Sequence, residues 1–275
     1  YLSGFDPDTR RLLGVDYALG EAHYLDIKGI IGQMEGKPNK PLLAYCVKWS
    51  EMNLAQFDSS EITMLEEHLK RRWGDISAET SGEQYTPRDL IELVAALAVA
   101  HLKRYPKESG IVDIYDPTCG GGNMLFGVED AMRAATGTDY AINTFGQELN
   151  DQLYALAAIE ARFRPSATIR EGNTLTNDQF AKKQFDIIVA NPPYGVDWKD
   201  YKKDIEADQS GRFPPLCRPP TSDGQQLFLQ HIFHHLKDDG IALVFCSGST
   251  LFSGASTRIT LKTRVTRVPS KPASK

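Results

Sequence analysis

The stretch Phe185–Tyr194, FDIIVANPPY, decides the fold. Its first six residues are a short apolar, β-branched run of the kind that forms a strand buried on both faces of a sheet. Asn191-Pro192-Pro193-Tyr194 then ends the strand, because two consecutive prolines bring no backbone donors to a ladder. Ligands of open α/β sheets bind just beyond the carboxyl ends of the strands. There the Asn191 side-chain oxygen and the Pro192 carbonyl are two acceptors able to face one exocyclic amine. The Tyr194 ring can stack on the flat group that carries the amine. Taken alone, the four residues also fit a proline-rich turn with an incidental aromatic.

Upstream, Ile111–Tyr115 is a strand that runs into Asp116-Pro117-Thr118-Cys119-Gly120-Gly121-Gly122-Asn123 and then a helix. Strand, glycine-rich turn and helix form the nucleotide-cofactor arrangement, in which glycines admit the ligand and the helix end favours a negative group. Tight strand–helix turns use the same glycines without any ligand. Cys119 reads as a small buried filler rather than a nucleophile, with no histidine nearby in sequence. A second strand over Ala141–Gln147 ends at Glu148, where an acidic residue either binds two ribose hydroxyls or is a solvated strand end. A helix over Asp151–Arg162 and a strand over Ala167–Arg170 follow. In the turn after them, Asn173 either meets an adenine edge or serves the turn itself.

Before the first strand, Gly82–Arg88 (GEQYTPR) feeds a helix reaching about Arg104. Thr86 suits its N-cap and Pro87 its first position, and the helix end offers free backbone donors to an anion. Leu90, Ile91, Leu93, Val94, Leu97, Ala98 and Leu102 give it a broad apolar face to bury. Further back, the glycines and prolines of Gly29–Pro41 read as a loop, and Leu42–Trp49 and Ser60–Trp73 as helices. Polar Asp75–Gly82 is the expected boundary.

After Tyr194, the long Gly195–Asp223 segment reads as a lid or binding loop. A helix over Gln225–Leu236 follows, and Gly240 turns into a fifth strand, Ile241–Phe245. His231 and His235 have metal-ligand spacing on that helix, but no carboxylate motif accompanies them, so no metal site is expected.

The charge of −5 over 275 residues is at odds with a chain that grips nucleic acid alone, which would carry a basic face. The six basic residues of Ala255–Lys275, with no acidic one among them, leave the rest of the chain more acidic still. The four cysteines show no paired spacing, which fits a reduced intracellular protein. No apolar run approaches membrane-spanning length, and Tyr1–Gly4 shows no signal-peptide pattern; a cytoplasmic location is expected.

The ordered set GEQYTPRDL, DPTCGGGNML, GQELN, GNTL, NPPYGVDWK and DGQQLFLQHIF resembles the modification subunit of type I restriction-modification systems, which are adenine-specific DNA methyltransferases. The resemblance spans Gly82–Gly254. It implies a Rossmann-like α/β methyltransferase sheet over residues 82–254, behind a mainly helical region 1–81 and before a basic polar tail 255–275. It implies S-adenosylmethionine as cofactor. Glu83, Gln84, Tyr85, Thr86, Pro87 and Arg88, with Asp116, Thr118, Gly120, Gly121 and Gly122, would line its methionine end. Glu148 would take the ribose, Asn173 the adenine edge, and Asn191, Pro192, Pro193 and Tyr194 the target adenine. The implied partners are DNA, a DNA-specificity subunit and, as a further candidate, the restriction subunit. An amino-methyltransferase acting on RNA or a protein glutamine is the alternative, as is a non-catalytic remnant that binds cofactor. The family pattern continues beyond Gly254 where this chain turns polar, so a C-terminally truncated chain with an edge-lying fifth strand is expected.

Overall fold

The computed structural model describes residues 2–18, 21, 24–35, 37, 38, 40–51, 53, 56 and 86–247. The expected helix Ser60–Trp73, both domain boundaries, Glu83–Tyr85 and the tail Ala255–Lys275 lie outside the described residues.

Five parallel strands form the sheet: β1 (Ile111–Asp116), β2 (Ala141–Glu148), β3 (Ala167–Glu171), β4 (Phe185–Ala190) and β5 (Leu236–Val244). Their order is β3-β2-β1-β4-β5, so the winding reverses between β1 and β4. In such sheets the crevice at that reversal is the ligand-binding place. Every residue of β4 is buried, the pattern a central strand covered on both faces requires. β5 lies at an edge of the described sheet, as expected of it.

Residues of β1 alternate between two cores. Val112 and Ile114 join Ile91, Val94, Ala98, Leu125, Val128 and Met132 on one face. Tyr115 packs with Phe180, Phe185 and Ile232 on the other, its ring stacked 4.3 Å from that of Phe185. The first face is covered by helices Arg88–Arg104 and Asn123–Thr136, and Gln225–His235 contributes Ile232 to the second. At the far rim, buried Asp186 accepts from the Asp113 amide (3.0 Å) and pairs with Lys107 and Lys237, which neutralises a carboxylate inside β4.

The structure departs from the sequence reading at five places. Ile27–Glu35 is a helix, although Gly29–Pro41 reads as a loop. Ile27, Ile30, Ile31 and Met34 recur at helical spacing, and that period, in a helix lying beside Pro41–Ser50, outweighs two glycines that cost about 1 kcal/mol each. The helix after Thr86 begins at Arg88; Pro87 flanks it at φ −58°, and no side chain caps it. Leu93 and Leu97 of that helix are exposed, so its buried face is narrower than its apolar one. β5 starts earlier than read, directly after helix Gln225–His235, but its register to β4 shifts between Leu236 and Ile241, so regular pairing begins after Gly240, at Ile241. Finally, 195–223 is a folded segment rather than a bare lid. Trp198, Ile205 and Phe213 build a small core with Leu175, Leu227 and Phe228, and the Trp198 indole donates to Pro220 O.

Candidate cofactor and target site

A cleft of about 500 Å³ opens at the carboxyl ends of β1, β2 and β4. Its lining includes Thr86, Asp116, Thr118, Gly120, Gly121, Glu148, Asn173 and the whole of Asn191–Tyr194. Four segments far apart in sequence thus meet because β1, β2, β3 and β4 end on one rim, and Thr86, ahead of helix Arg88–Arg104, joins them.

The glycine turn is held in shape by Glu148. One carboxylate oxygen accepts from the Gly120 amide (2.8 Å), the other from the amides of Leu149 (2.9 Å) and Asn150 (2.8 Å). Gly120 has φ +55°, and a Cβ built on it would stand in open space. Gly122, at φ +90°, serves differently: a Cβ there would come within 2.4 Å of the Phe126 ring. It is a close-approach glycine and lies outside the cleft lining, as do Pro87 and Arg88. Arg88 pairs instead with Glu92 one helical turn on.

Asp116 sits at the end of β1 with 1% of its surface exposed. Burial pushes its pKa up to about 8; the amide of Thr118, 2.9 Å from its Oδ1, acts against that and neighbouring Glu148 adds to it. The site thus sets two acidic groups, Asp116 and Glu148, side by side, a pair suited to a ligand carrying positive charge and hydroxyls. Burial likewise pushes the Cys119 thiol up, away from nucleophilic use. Asn173 accepts from the Leu175 amide through Oδ1 (2.9 Å), the turn role, which leaves its NH2 as the donor for any ligand edge.

Just after β4, Asn191 Nδ2 donates to Thr86 Oγ1 (3.2 Å) and Tyr194 donates to Asn191 Oδ1 (2.9 Å). Tyr194 itself is 39% exposed where it lines the cleft.

Sequence reasoning missed Leu149, Asn150, Leu153 and Phe228, which also line the cleft. Asn150 carried a signal: its side chain caps helix Asp151–Ala161. It also missed the partner of the histidine pair. Asp178 Oδ2 lies 2.9 Å from His235 Nε2, and the guanidinium of Arg212 stands among them, 2.9 Å from His231 Nδ1 and 3.3 Å from Asp178. With Arg212 supplying the positive charge, these groups form a buried ionic network. Burial, the largest single influence, would raise the Asp178 pKa, but the His235 hydrogen bond, the attraction of His231 and His235 and the Phe180 amide together outweigh it and hold it at about 2. Burial pushes His231 well below its ordinary value, so its neutral ring accepts from Arg212 and donates to Tyr115. The same guanidinium donates to Thr174 O (3.0 Å) and Leu175 O (3.3 Å), tying segment 195–223 to the turn that carries Asn173.

This sheet order, with a glycine turn after its first strand and an acidic end to its second, is the architecture of S-adenosylmethionine-dependent methyltransferases. A class I enzyme so described from Listeria monocytogenes superposes over 90% of this chain and 72% of its own with a TM-score of 0.62, at 19% identity, which speaks for the fold alone. The chain belongs to the N-6 DNA Methylase family, whose model matches residues 63–266. Curated relatives include the type I restriction enzyme MpnII methylase subunit of Mycoplasma pneumoniae, 25% identical over 73% of this chain. Another is the HindI methylase subunit of Haemophilus influenzae, 25% identical over 66% of it. This chain spans 38% and 39% of their lengths. A type I restriction-modification methyltransferase subunit from Streptococcus thermophilus matches 71% of this chain and 40% of its own at 25% identity, TM-score 0.55.

Fold and family imply S-adenosylmethionine, and the cleft fits it on its own features. Its volume lies within the range of small-molecule sites. It offers two acidic groups at strand ends, a free amide donor at Asn173, and a glycine beside which open space remains.

Proposed function

We propose that this chain is the catalytic part of a type I modification subunit, transferring a methyl group to the 6-amino group of adenine in DNA. The observation that carries the reading is the placement of Asn191 and Pro192 just after fully buried β4, in the lining shared with Asp116 and Glu148. When bound, S-adenosylmethionine supplies a methyl group made electrophilic by its sulfonium sulfur. Asp116, Thr118, Gly120 and Gly121 would hold its methionine end and Glu148 its ribose. The chain's own work is to present the amine. Its target atom is enclosed in the duplex, so the base must be extruded, and the Tyr194 ring is the stacking platform. An aromatic amine is a weak nucleophile because its lone pair is delocalised. Accepting its two protons at Asn191 and Pro192 favours the pyramidal form, whose lone pair is available. Positioning and hydrogen-bond electrostatics then carry the reaction without a strong base.

DNA is the proposed substrate. Sequence choice falls to a specificity subunit, with the restriction subunit a further partner, which suits the net charge of −5. The test is methyl incorporation from labelled cofactor into plasmid DNA, alone and with a supplied specificity subunit, followed by nucleoside mass spectrometry. N6-methyladenine supports the proposal; label found only in RNA or protein, or nowhere, overturns it.

A further inference from the structure

We propose that Thr86 is the positioning residue that keeps the acceptor end of the Asn191 amide facing the target amine, an inference that rests on the function proposed above. The two ends of an asparagine amide are nearly the same size, and only one accepts a proton. Presenting the NH2 end would set donor against donor and lose the interaction. Something must break that symmetry.

Asn191 has two partners, Thr86 Oγ1 at 3.2 Å and the Tyr194 hydroxyl at 2.9 Å. Both are hydroxyls, so either could in principle donate or accept. Their chemistry differs, however. A phenol, with a pKa near 10, is the stronger donor and the weaker acceptor of the two; an aliphatic hydroxyl is the better acceptor. Tyr194 O–H to Asn191 C=O, then Asn191 N–H to Thr86 oxygen, is therefore the favoured direction of the chain. Each link polarises the next. An incoming amine must take the Oδ1 that Tyr194 holds. From that moment Thr86 alone keeps the amide from turning, and by accepting from Nδ2 it drives electron density onto Oδ1.

Thr86 is free for this because the following helix makes no use of it. The helix starts at Arg88 without a side-chain cap, while Pro87 holds the backbone extended at ψ 147°. Thr86 is half-buried on the cleft wall, across 105 residues of sequence from its partner.

The experiment uses the full chain and compares Thr86→Val and Thr86→Ala, which both remove the acceptor, with Thr86→Ser, which keeps it. The first readout is the Asn191 side-chain amide in 15N spectra, identified by its loss in Asn191→Ala. In the Val and Ala variants its protons should exchange faster with water, and Ser should restore them. The second readout is single-turnover methylation in the reconstituted complex at saturating cofactor. It should fall on the order of 10²-fold in the Val and Ala variants, with cofactor affinity changed less than about threefold and recovery in Ser. An unchanged amide signal in both Val and Ala overturns the role of Thr86, whatever the activity. So does a loss of cofactor affinity that matches the loss of rate. If the wild type methylates no adenine in DNA while the amide still responds, the proposed reaction falls and the Thr86 tether stands.

Discussion

The hydroxyl of Tyr194 donates to Asn191 Oδ1 over 2.9 Å, so in the proposed reaction the acceptor for an incoming amine is already engaged by the residue assigned to stack on it. Target binding must exchange one hydrogen bond for another. Tyr194→Phe keeps the ring and frees the oxygen. It should tighten target engagement by up to about fivefold, the worth of one net hydrogen bond near 1 kcal/mol. Tyr194→Ala should weaken engagement by about 1–3 kcal/mol through lost stacking. Fluorescence of 2-aminopurine at the target position reads both, and equal damage from the two changes would show that the hydroxyl itself is required.

Glu148 binds three backbone amides while it lines the cleft. Glu148→Ala should weaken S-adenosylmethionine by roughly 1–3 kcal/mol, through the lost charged acceptor and the loosened glycine turn. Calorimetry that finds unchanged affinity removes Glu148 from the cofactor site.

Asp116 should make the chain pH-sensitive in a stated direction. Burial lifts its folded pKa to about 8 against 3.8 for an ordinary aspartate. Between those values the folded state binds the extra proton, so this group's contribution to stability falls as pH rises from about 4 to about 8. Asp116→Asn should flatten that slope, raising the urea midpoint of the ligand-free chain at pH 8 relative to pH 5. A cationic cofactor favours the ionised acid, so binding at pH 7 should release a proton. Calorimetry in buffers of different ionisation enthalpy would show the release, and Asp116→Asn should abolish it.

Arg212 is 5% exposed and serves Asp178, Asp208, His231 and two carbonyls at once. Arg212→Ala leaves Asp178 with its His235 and Phe180 partners but without the buried cation, and should cost about 3–5 kcal/mol in urea unfolding. Arg212→Met combined with Asp178→Asn should cost less than the sum of the two single changes. Additive losses would mean that the two groups are not coupled.

The sheet was legible because its strands carry their own signals. β4 is apolar apart from Asp186 and is cut off by Asn191 and two prolines, and β1 and β2 each run into a chemically distinctive turn. The cleft lining around Asp116, Glu148 and Asn191 followed from strand ends sharing a rim. What stayed hidden depended on tertiary partners. Thr86 reads as a cap until Asn191, brought alongside by β4, engages its hydroxyl. Leu93 and Leu97 continue an apolar pattern that packing uses only in part. Asp178 lies 53 residues before His231 in sequence, so no local spacing could join them. Helix Ile27–Glu35 was masked by its glycines, whose punctuation outweighed the stripe beside them in the sequence reading.

The order β3-β2-β1-β4-β5 also has a kinetic meaning. Residues 111–171 supply three adjacent strands through two short crossovers, so that half of the sheet, with Asp116 and Glu148, can form from contacts close along the chain. β4 must then dock beside β1, some 70 residues back, before Asn191 can reach the same rim. Long loop closures of this kind are slow steps in folding. The wall carrying Asp116 and Glu148 should therefore form before the one carrying Asn191: in refolding, Glu148-dependent ligand protection should precede the appearance of the Asn191–Thr86 contact.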